Sequence, residues 1–289
     1  MPDPVIDSRL ARRRFERAAG GYGKASRLES EIGARMLELL DFVKLAPRRV
    51  LDAGSGPQRD ARLLARRYRD AEVVALDFAR GMLRAGTPRF AFFERNCPRL
   101  LCADFVRLPL AAGSMDLVWS NMALHWVADP PAALREFHRV LAVDGLLMFS
   151  TLGPDTLAGL RAAAGAARVH SFADMHDLGD MLVAAGFAEP VMDMERVTLV
   201  YADGAALLAD LRASGQTCAL ARRVGEKRRG LAGRGFLAAL HARLMAQLRE
   251  GKLPVGFEVV YGHAWRAPAR RAAKQTEDGR AIVRFERRR

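Results

Sequence analysis

The chain has 289 residues, half of them hydrophobic, enough to bury a substantial core as one large domain or two small ones. No uncharged apolar run approaches the roughly 20 residues that cross a bilayer, and no apolar segment follows the first arginines, so neither a membrane span nor a secretion signal is expected; Asp3, Asp7 and Glu16 among those arginines argue against a mitochondrial presequence. The formal charge of +13 is mostly arginine, which suits either a composition bias or an acidic partner and by itself does not choose.

Residues 8–43 carry apolar positions at helical spacing (Leu10, Phe15, Ala18, then Leu28, Ile32, Met36, Leu39, Leu40), with Gly20, Gly21 and Gly23 between two helices, and predict a helical N-terminal cap over 1–45. From Pro47 onward short apolar runs alternate with helical patterns: 50–53, 72–77, 100–104, 115–121 and 145–151. Strands separated by helices imply crossovers and a mostly parallel, doubly wound α/β sheet covered on both faces. Ligands of such sheets sit beyond the carboxyl ends of the strands, where these runs end in polar residues or in a glycine turn. Further on, 156–167 and 171–187 read as helical, with Gly186 as a terminator. Two strand-like runs, 191–201 and 256–265, flank a basic helical insertion of about 50 residues at 203–252, which suggests an antiparallel edge pair with a lid. The main domain is thus expected over 46–267, followed by a solvated tail over 268–289; from Arg266 onward nine basic residues face three acidic ones. The cysteines, Cys97, Cys102 and Cys218, are odd in number and form no metal-type pair, so no disulfide framework or metal site is expected and a reducing cytoplasm fits.

The stretch RRVLDAGSGPQRDARLLARRY (48–68) passes from a buried strand through a glycine turn into an amphipathic helix. A dinucleotide fingerprint would need glycines at 54, 56 and 59, and position 59 is arginine, which weakens a pyrophosphate site. The looser Asp-x-Gly-x-Gly of Asp52, Gly54, Ser55 and Gly56, with Asp77 closing the second strand, suits an adenosine ligand without phosphates. The glycines let the backbone approach, and the Asp77 carboxylate accepts from both ribose hydroxyls. Asp104 and Asn121, closing the third and fourth strands, fall where one ligand at the sheet edge touches them all.

These residues resemble the class I S-adenosylmethionine-dependent methyltransferases. The resemblance implies a seven-stranded Rossmann-like sheet and S-adenosyl-L-methionine as cofactor. VLDAGSG (50–56) lies by its methionine part, Asp77 on its ribose, Phe78 and Met82 beside the adenine, Asp104 and Phe105 at the adenine edge, and LVWSNMALHW (117–126) faces the transferred methyl. Gln58 departs from the family, which places a third glycine there. Its side chain is expected to project toward the methionine moiety, shift the helix start or hydrogen-bond near the cofactor.

A finer resemblance lies outside the core. FERAAGGYGKASRLESEIGARMLELL (15–40), residues 120–161 with the phrase FSTLGPDTL, and FEVVYGHAW (257–265) resemble the malonyl-carrier-protein O-methyltransferases that open biotin synthesis. The resemblance implies methylation of the free carboxylate of malonyl on the phosphopantetheine arm of an acidic acyl carrier protein, with no nucleic acid or membrane as partner. A carboxylate is ionised at neutral pH and attacks without a general base, so no catalytic base is expected; the enzyme supplies alignment and a water-poor pocket. Arg161 is the expected cationic partner of that carboxylate. Tyr22 is expected to close over the cofactor, His125 and Trp126 to wall the acceptor site, and the basic insertion (Arg222, Arg223, Lys227, Arg228, Arg229, Arg234) to dock the carrier.

Three other readings stay open on the sequence. The stretch 172–201 resembles complex I assembly factors linked to arginine hydroxylation, although the six histidines offer no H-x-D or H-x-E pair to begin an iron triad. A degenerate, non-catalytic binding protein is kept open by Gln58. Nucleic-acid methylation is suggested by charge, and the chain has SNMALHW where such enzymes carry an Asn/Asp-Pro-Pro-Tyr motif.

Overall fold

The computed structural model describes residues 6–87, 96–221 and 233–268. The N-terminal cap is three helices where the spacing predicts two: α1 (Ser8–Ala18), a single turn α2 (Tyr22–Ala25) and α3 (Arg27–Leu39). Asp7 caps α1 by accepting from the Leu10 amide at 3.0 Å, which satisfies an amide the helix cannot. Leu28, Ile32 and Met36 form the buried stripe of α3, whereas Leu39 is exposed and Leu40 turns inward through a short 3-10 turn.

Five strands run parallel: β1 (Arg49–Ala53), β2 (Glu72–Asp77), β3 (Arg99–Cys102), β4 (Met115–Ser120) and β5 (Leu141–Leu152). Helices α4 (Arg59–Arg67), α5 (Arg80–Ala85) and α6 (Pro130–Val140) alternate with them; Asp129 caps α6, whose first turn holds Pro130 and Pro131. After α7 (Ala158–Ala164) and α8 (Met175–Ala184) come β6 (Ala188–Tyr201) and β7 (Leu253–Trp265), giving a seven-stranded sheet in the order β3-β2-β1-β4-β5-β7-β6. The expected antiparallel pair exists, with one refinement: β7 inserts between β5 and β6 and is antiparallel to both, leaving β6 at the edge. The third strand is shorter than expected, ending at Cys102, so Asp104 sits in the loop beyond it.

Alternate residues of each strand serve opposite faces, as period two requires. Val50, Val73, Ala75, Leu117 and Trp119 pack with α3, α4 and the insertion helices α9 (Gly204–Ala213) and α10 (Gly233–Met245). Leu51, Val74, Leu76, Val118 and Leu147 pack with α6 and α8. Tyr201 pairs with Leu253, so the described residues between β6 and β7 leave and rejoin the sheet at one end, beyond the carboxyl ends of the parallel strands. That end is also where the strand order reverses between β1 and β4, and where a ligand crevice forms. Among the described residues no helix is long and apolar enough to cross a membrane.

Candidate active site

The turn after β1 folds back over β2: the amides of Gly54 and Ser55 both donate to the Leu76 carbonyl, at 2.8 and 2.9 Å. The next amide, Gly56 N–H, donates to Asp77 Oδ2 at 3.0 Å, and Ala79 N–H donates to Oδ1 at 2.7 Å. Two backbone bonds thus fix the carboxylate, yet burial outweighs them and pushes its pKa up to about 6. Each oxygen keeps a lone pair toward the cleft.

That cleft spans about 630 Å³ including its open mouth and is lined by Tyr22, Gly54, Gly56, Asp77, Phe78, Met82, Asp104, Phe105, Asn121 and Trp126, among others. Ten residues expected at the site from the sequence therefore share one cavity. Its roof comes from α1: Phe15 packs edge-on against Trp126 at 5.0 Å and lies 5.9 Å from Phe78 and 6.4 Å from Tyr22. The result is a flat aromatic slot with a carboxylate at one side.

A second chamber, of about 380 Å³, adjoins the slot at Tyr22, Gly54, Gly56 and Asn121 and is strongly acidic. Asp52 and Ser55, both expected at the site, lie here with Glu29 and Asp60. Burial raises the Asp52 pKa well above the carboxylate range, with Asp60 adding repulsion, and burial lifts Glu29 to about 7. Asp52 Oδ2 and Ser55 Oγ are buried without a hydrogen-bond partner. Buried carboxylates with unfilled acceptor positions call for a cation or donor. Arg59, which reaches Asp60 Oδ1 at 2.7 Å and is two-fifths exposed, brings a positive charge to the rim for an anion. Asn121 is held by donating to the Glu29 carbonyl at 2.8 Å and Asp60 Oδ2 at 2.7 Å, and by accepting from Ser150 Oγ at 2.8 Å. An aromatic slot, a diol-accepting carboxylate and a chamber matched to an ammonium beside a carboxylate together fit an adenosyl amino acid.

Trp126 also borders a third, larger cavity of about 1630 Å³ including its open mouth, walled by Leu157, Leu160, Val169, His170 and Phe172 on one side and by α9 and α10 on the other. The insertion therefore covers a cavity of mixed apolar and polar lining that meets the slot at one indole.

The comparisons with known proteins agree with this geometry. Residues 51–149 match the family described as a methyltransferase domain. Among solved structures, the YcgJ protein of Bacillus subtilis covers 82% of this chain and 99% of its own, with a TM-score of 0.59 at 16% identity. The [4+2]-cyclase SpnF, at TM-score 0.52 and 18% identity, covers 82% of each chain. Since that title names a different reaction, fold likeness at such identities leaves the chemistry open. Sequence relatives are more telling. A malonyl-[acyl-carrier protein] O-methyltransferase of Laribacter hongkongensis is 49% identical over 96% of each chain, and one of Gallionella capsiferriformans is 48% identical over 98% of each. The chain belongs to the malonyl-[acyl-carrier protein] O-methyltransferase family.

For a member of this family, two expected acceptor residues stand elsewhere. Arg161 spends its guanidinium on backbone carbonyls of Pro154 (2.8 Å), Thr156 (3.1 Å) and His170 (3.0 Å), and it lines none of the three cavities. It ties the loop after β5 to the segment before α8. His125 also lines none of them. Its ring is buried between Trp126 and Phe172, with Nδ1 3.3 Å from Thr151 Oγ1, and burial lowers its pKa to about 3. It props Trp126, and the imidazole on the cavity wall is His170, which accepts from the Ala219 amide through Nε2 at 2.7 Å and has a pKa lowered by burial to about 4. Of the basic insertion, Arg222, Arg223, Lys227, Arg228 and Arg229 lie outside the described residues, and Arg234 is the second residue of α10.

Phe15, Glu29, Arg59, Asp60 and His170 are the site residues that sequence reasoning missed. Glu29 and Asp60 carried a signal: Glu29 lies next to core Leu28 and three residues before core Ile32, and Asp60 precedes core Ala61. A charge on a helix stripe that otherwise packs the core marks a polar chamber. Phe15 and His170 carried none, since an aromatic on an apolar stripe and a lone histidine read as packing.

Gln58 is the departure from the family pattern, and it does not enter the slot. Its backbone adopts the left-handed conformation (φ 62°) that a glycine would take, and it caps α4 without shifting the start at Arg59. The buried side chain turns away from both chambers, donating to the Leu83 carbonyl and, at 3.0 Å, to Thr87 Oγ1. The strain of about 1 kcal/mol at a left-handed residue is therefore offset by one buried and one partly buried hydrogen bond of about 1 kcal/mol each. Gln58→Gly is expected to destabilise the protein by about 1 to 3 kcal/mol, because the lost bonds and added chain entropy exceed the relieved strain. Affinity for S-adenosylhomocysteine should stay within about threefold, a change below about 0.7 kcal/mol. Thermal melts and titration calorimetry check both; a more stable variant, or a tenfold affinity change, contradicts this account.

Proposed function

We propose that the chain binds S-adenosyl-L-methionine and transfers its methyl to the free carboxylate of a malonyl group carried on the phosphopantetheine arm of an acyl carrier protein. The observation that carries this reading is the meeting of the aromatic slot and the larger cavity at Trp126. When bound, the cofactor supplies an electrophilic methyl on a sulfonium sulfur. Asp77 accepts from the ribose hydroxyls, Phe78 and Met82 flank the adenine, and Asp104 with Phe105 borders its edge. Asp52 and Glu29 receive the ammonium, with Arg59 toward the carboxylate. Tyr22 and Phe15 roof the slot and exclude water. The larger cavity, with its mixed apolar and polar lining, suits a thin acyl-pantetheine arm of alternating methylene and amide groups entering under the insertion, with its tip at Trp126.

No proton need be removed from an ionised carboxylate, which agrees with the imidazoles beside Trp126: both are held neutral, and His170 has its Nε2 lone pair engaged. Rate then comes from orientation and desolvation, on the order of several kcal/mol. Incubation with a labelled methyl donor and malonyl-acyl carrier protein tests the reading directly. A base-labile methyl ester on the carrier is expected. Failure to form it, with S-adenosylhomocysteine bound normally, would reject the acceptor.

A further inference from the structure

We propose that the outer face of α1, continued by α5, is the surface on which an acidic carrier protein docks. The inference rests on the reading that the acceptor arrives on such a carrier. On α1, Arg9, Arg12, Arg13 and Arg17 are exposed and project from one side, since Arg9, Arg13 and Arg17 recur every four residues and Arg12 lies beside them. The opposite side of the helix, Ala11, Phe15 and Ala18, is buried. Helix α5 packs alongside, joined through Glu16 Oε2, which accepts from the Gly81 amide at 2.8 Å, and adds exposed Arg80 and Arg84.

None of these six arginines has an acidic partner among the described residues, whereas Arg35, Arg67, Arg99, Arg139 and Arg196 each meet a carboxylate. The arrangement opposes the helix's own stability. Like charges four residues apart repel, and Arg9 in the first turn faces the positive end of the dipole, where the one carboxylate, Asp7, is taken up in capping the Leu10 amide. An anionic partner relieves both terms.

The face is also in the right place. The start of α1 is stitched to the insertion: Asp7 N–H donates to the Ala219 carbonyl at 2.7 Å, Ile6 bridges Leu220, and Arg14 donates to the Cys218 carbonyl. Cys218 and Leu220 line the acceptor cavity, and Phe15 lines the slot. A carrier seated on the arginine face would hold its arm beside the cavity in which the malonyl group must lie. A phosphate at the base of that arm adds negative charge on the same side.

Steady-state methylation with two acceptors tests the proposal: malonyl-acyl carrier protein, and malonyl-pantetheine, the arm without the protein. For the triple variant Arg9→Glu, Arg13→Glu, Arg17→Glu, KM for the carrier substrate should rise by about 10-fold or more with kcat nearly unchanged, and kinetics with malonyl-pantetheine should stay within about twofold. Salt between about 50 and 300 mM should weaken the wild type on the carrier and leave the variant less affected. Unchanged KM for the carrier, or an equal loss on both acceptors, overturns the proposal. Arg80→Glu, Arg84→Glu on α5 supplies the same test if the triple variant does not fold. If the wild type methylates neither acceptor, the functional reading fails, and direct titration of the malonyl carrier still decides docking: binding lost in the variants supports the surface. Carrier binding that survives charge reversal, or a face that takes up RNA or anionic vesicles while the carrier does not bind, refutes it.

Discussion

Asp77→Ala is expected to weaken S-adenosylhomocysteine binding by about 100-fold, roughly 2.7 kcal/mol, while leaving the empty protein folded. The proposed hydrogen bonds from two ribose hydroxyls to an ionised carboxylate are worth about 1.5 to 3 kcal/mol each, and part of that is recovered by water entering the site. Stability changes far less. The carboxylate anchors the amides of Gly56 and Ala79, but its pKa of about 6 means that burying its charge costs on the order of 3 kcal/mol against an ordinary aspartate. The lost anchor and the relieved desolvation nearly cancel. Asp77→Asn should fall between the two proteins in affinity, since one acceptor oxygen remains. Affinity within about threefold of wild type for the alanine variant would remove Asp77 from the cofactor site.

The same carboxylates set opposed pH trends. Asp77 and Glu29 have folded pKa values raised to about 6 and about 7, so their contribution to stability is fully present below their unfolded values near 4 and is lost as pH rises through 6 to 7. The empty protein should therefore melt higher at pH 5.5 than at pH 7.5. Binding of a ribose and an ammonium needs the ionised forms, so affinity for S-adenosylhomocysteine should fall over the same range as pH is lowered. Parallel trends in melting and affinity would contradict the assignment of these two groups.

Gly54→Ala should destabilise the protein by about 3 kcal/mol and abolish cofactor binding. Gly54 has φ 84°, where an L side chain costs about 1 to 2 kcal/mol. An added methyl would overlap Ala123 Cβ and lie 3.0 Å from Phe105 Cζ. The alanine methyl has no rotamer by which to yield, so overpacking adds about 1 to 3 kcal/mol. Phe105 and Ala123 line the slot, and pushing them away distorts the surface that the adenosyl group would occupy. A melting temperature lower by about 6 to 12 °C is expected, at about 2 to 4 °C per kcal/mol. Gly113→Ala is the control. It shares a positive φ of 67°, has nothing within 4 Å of an added Cβ and lies away from the slot, so it should cost backbone strain alone and leave binding intact. Equal behaviour of the two variants would show that conformation, and not crowding of the slot, governs position 54.

Sequence periodicity went furthest where chemistry is local. The run Val50 to Gly56 had to be a strand breaking into a turn, because an apolar run buried on both faces ends at residues able to take positive φ. Asp77 closes β2 by the same logic, and the in-register pairing of β1 with β2 brings its carboxylate to the glycine turn. Strands alternating with helices implied the parallel sheet, and two late strands around an insertion implied a lid. The resemblance of residues 120–161 and 257–265 to one enzyme family was legible for the same reason, being carried in continuous stretches.

Partners distant along the chain were settled only by the tertiary structure. Nothing near Arg161 announces that three carbonyls would occupy its guanidinium, and a free or a committed arginine reads the same in a helical pattern. His125 packs behind Trp126 and His170 takes the cavity wall, because the long loop after β5 decides which ring faces the cavity. Gln58 turns into the end of α5 instead of the slot because Leu83 O and Thr87 Oγ1, 25 and 29 residues onward, wait there. The roof of Phe15 and Tyr22 and the acidic chamber of Glu29, Asp52 and Asp60 each join the cap to the sheet. Periods of two and 3.6 residues assign a side chain to a face, and only the packing of the elements decides what that face meets.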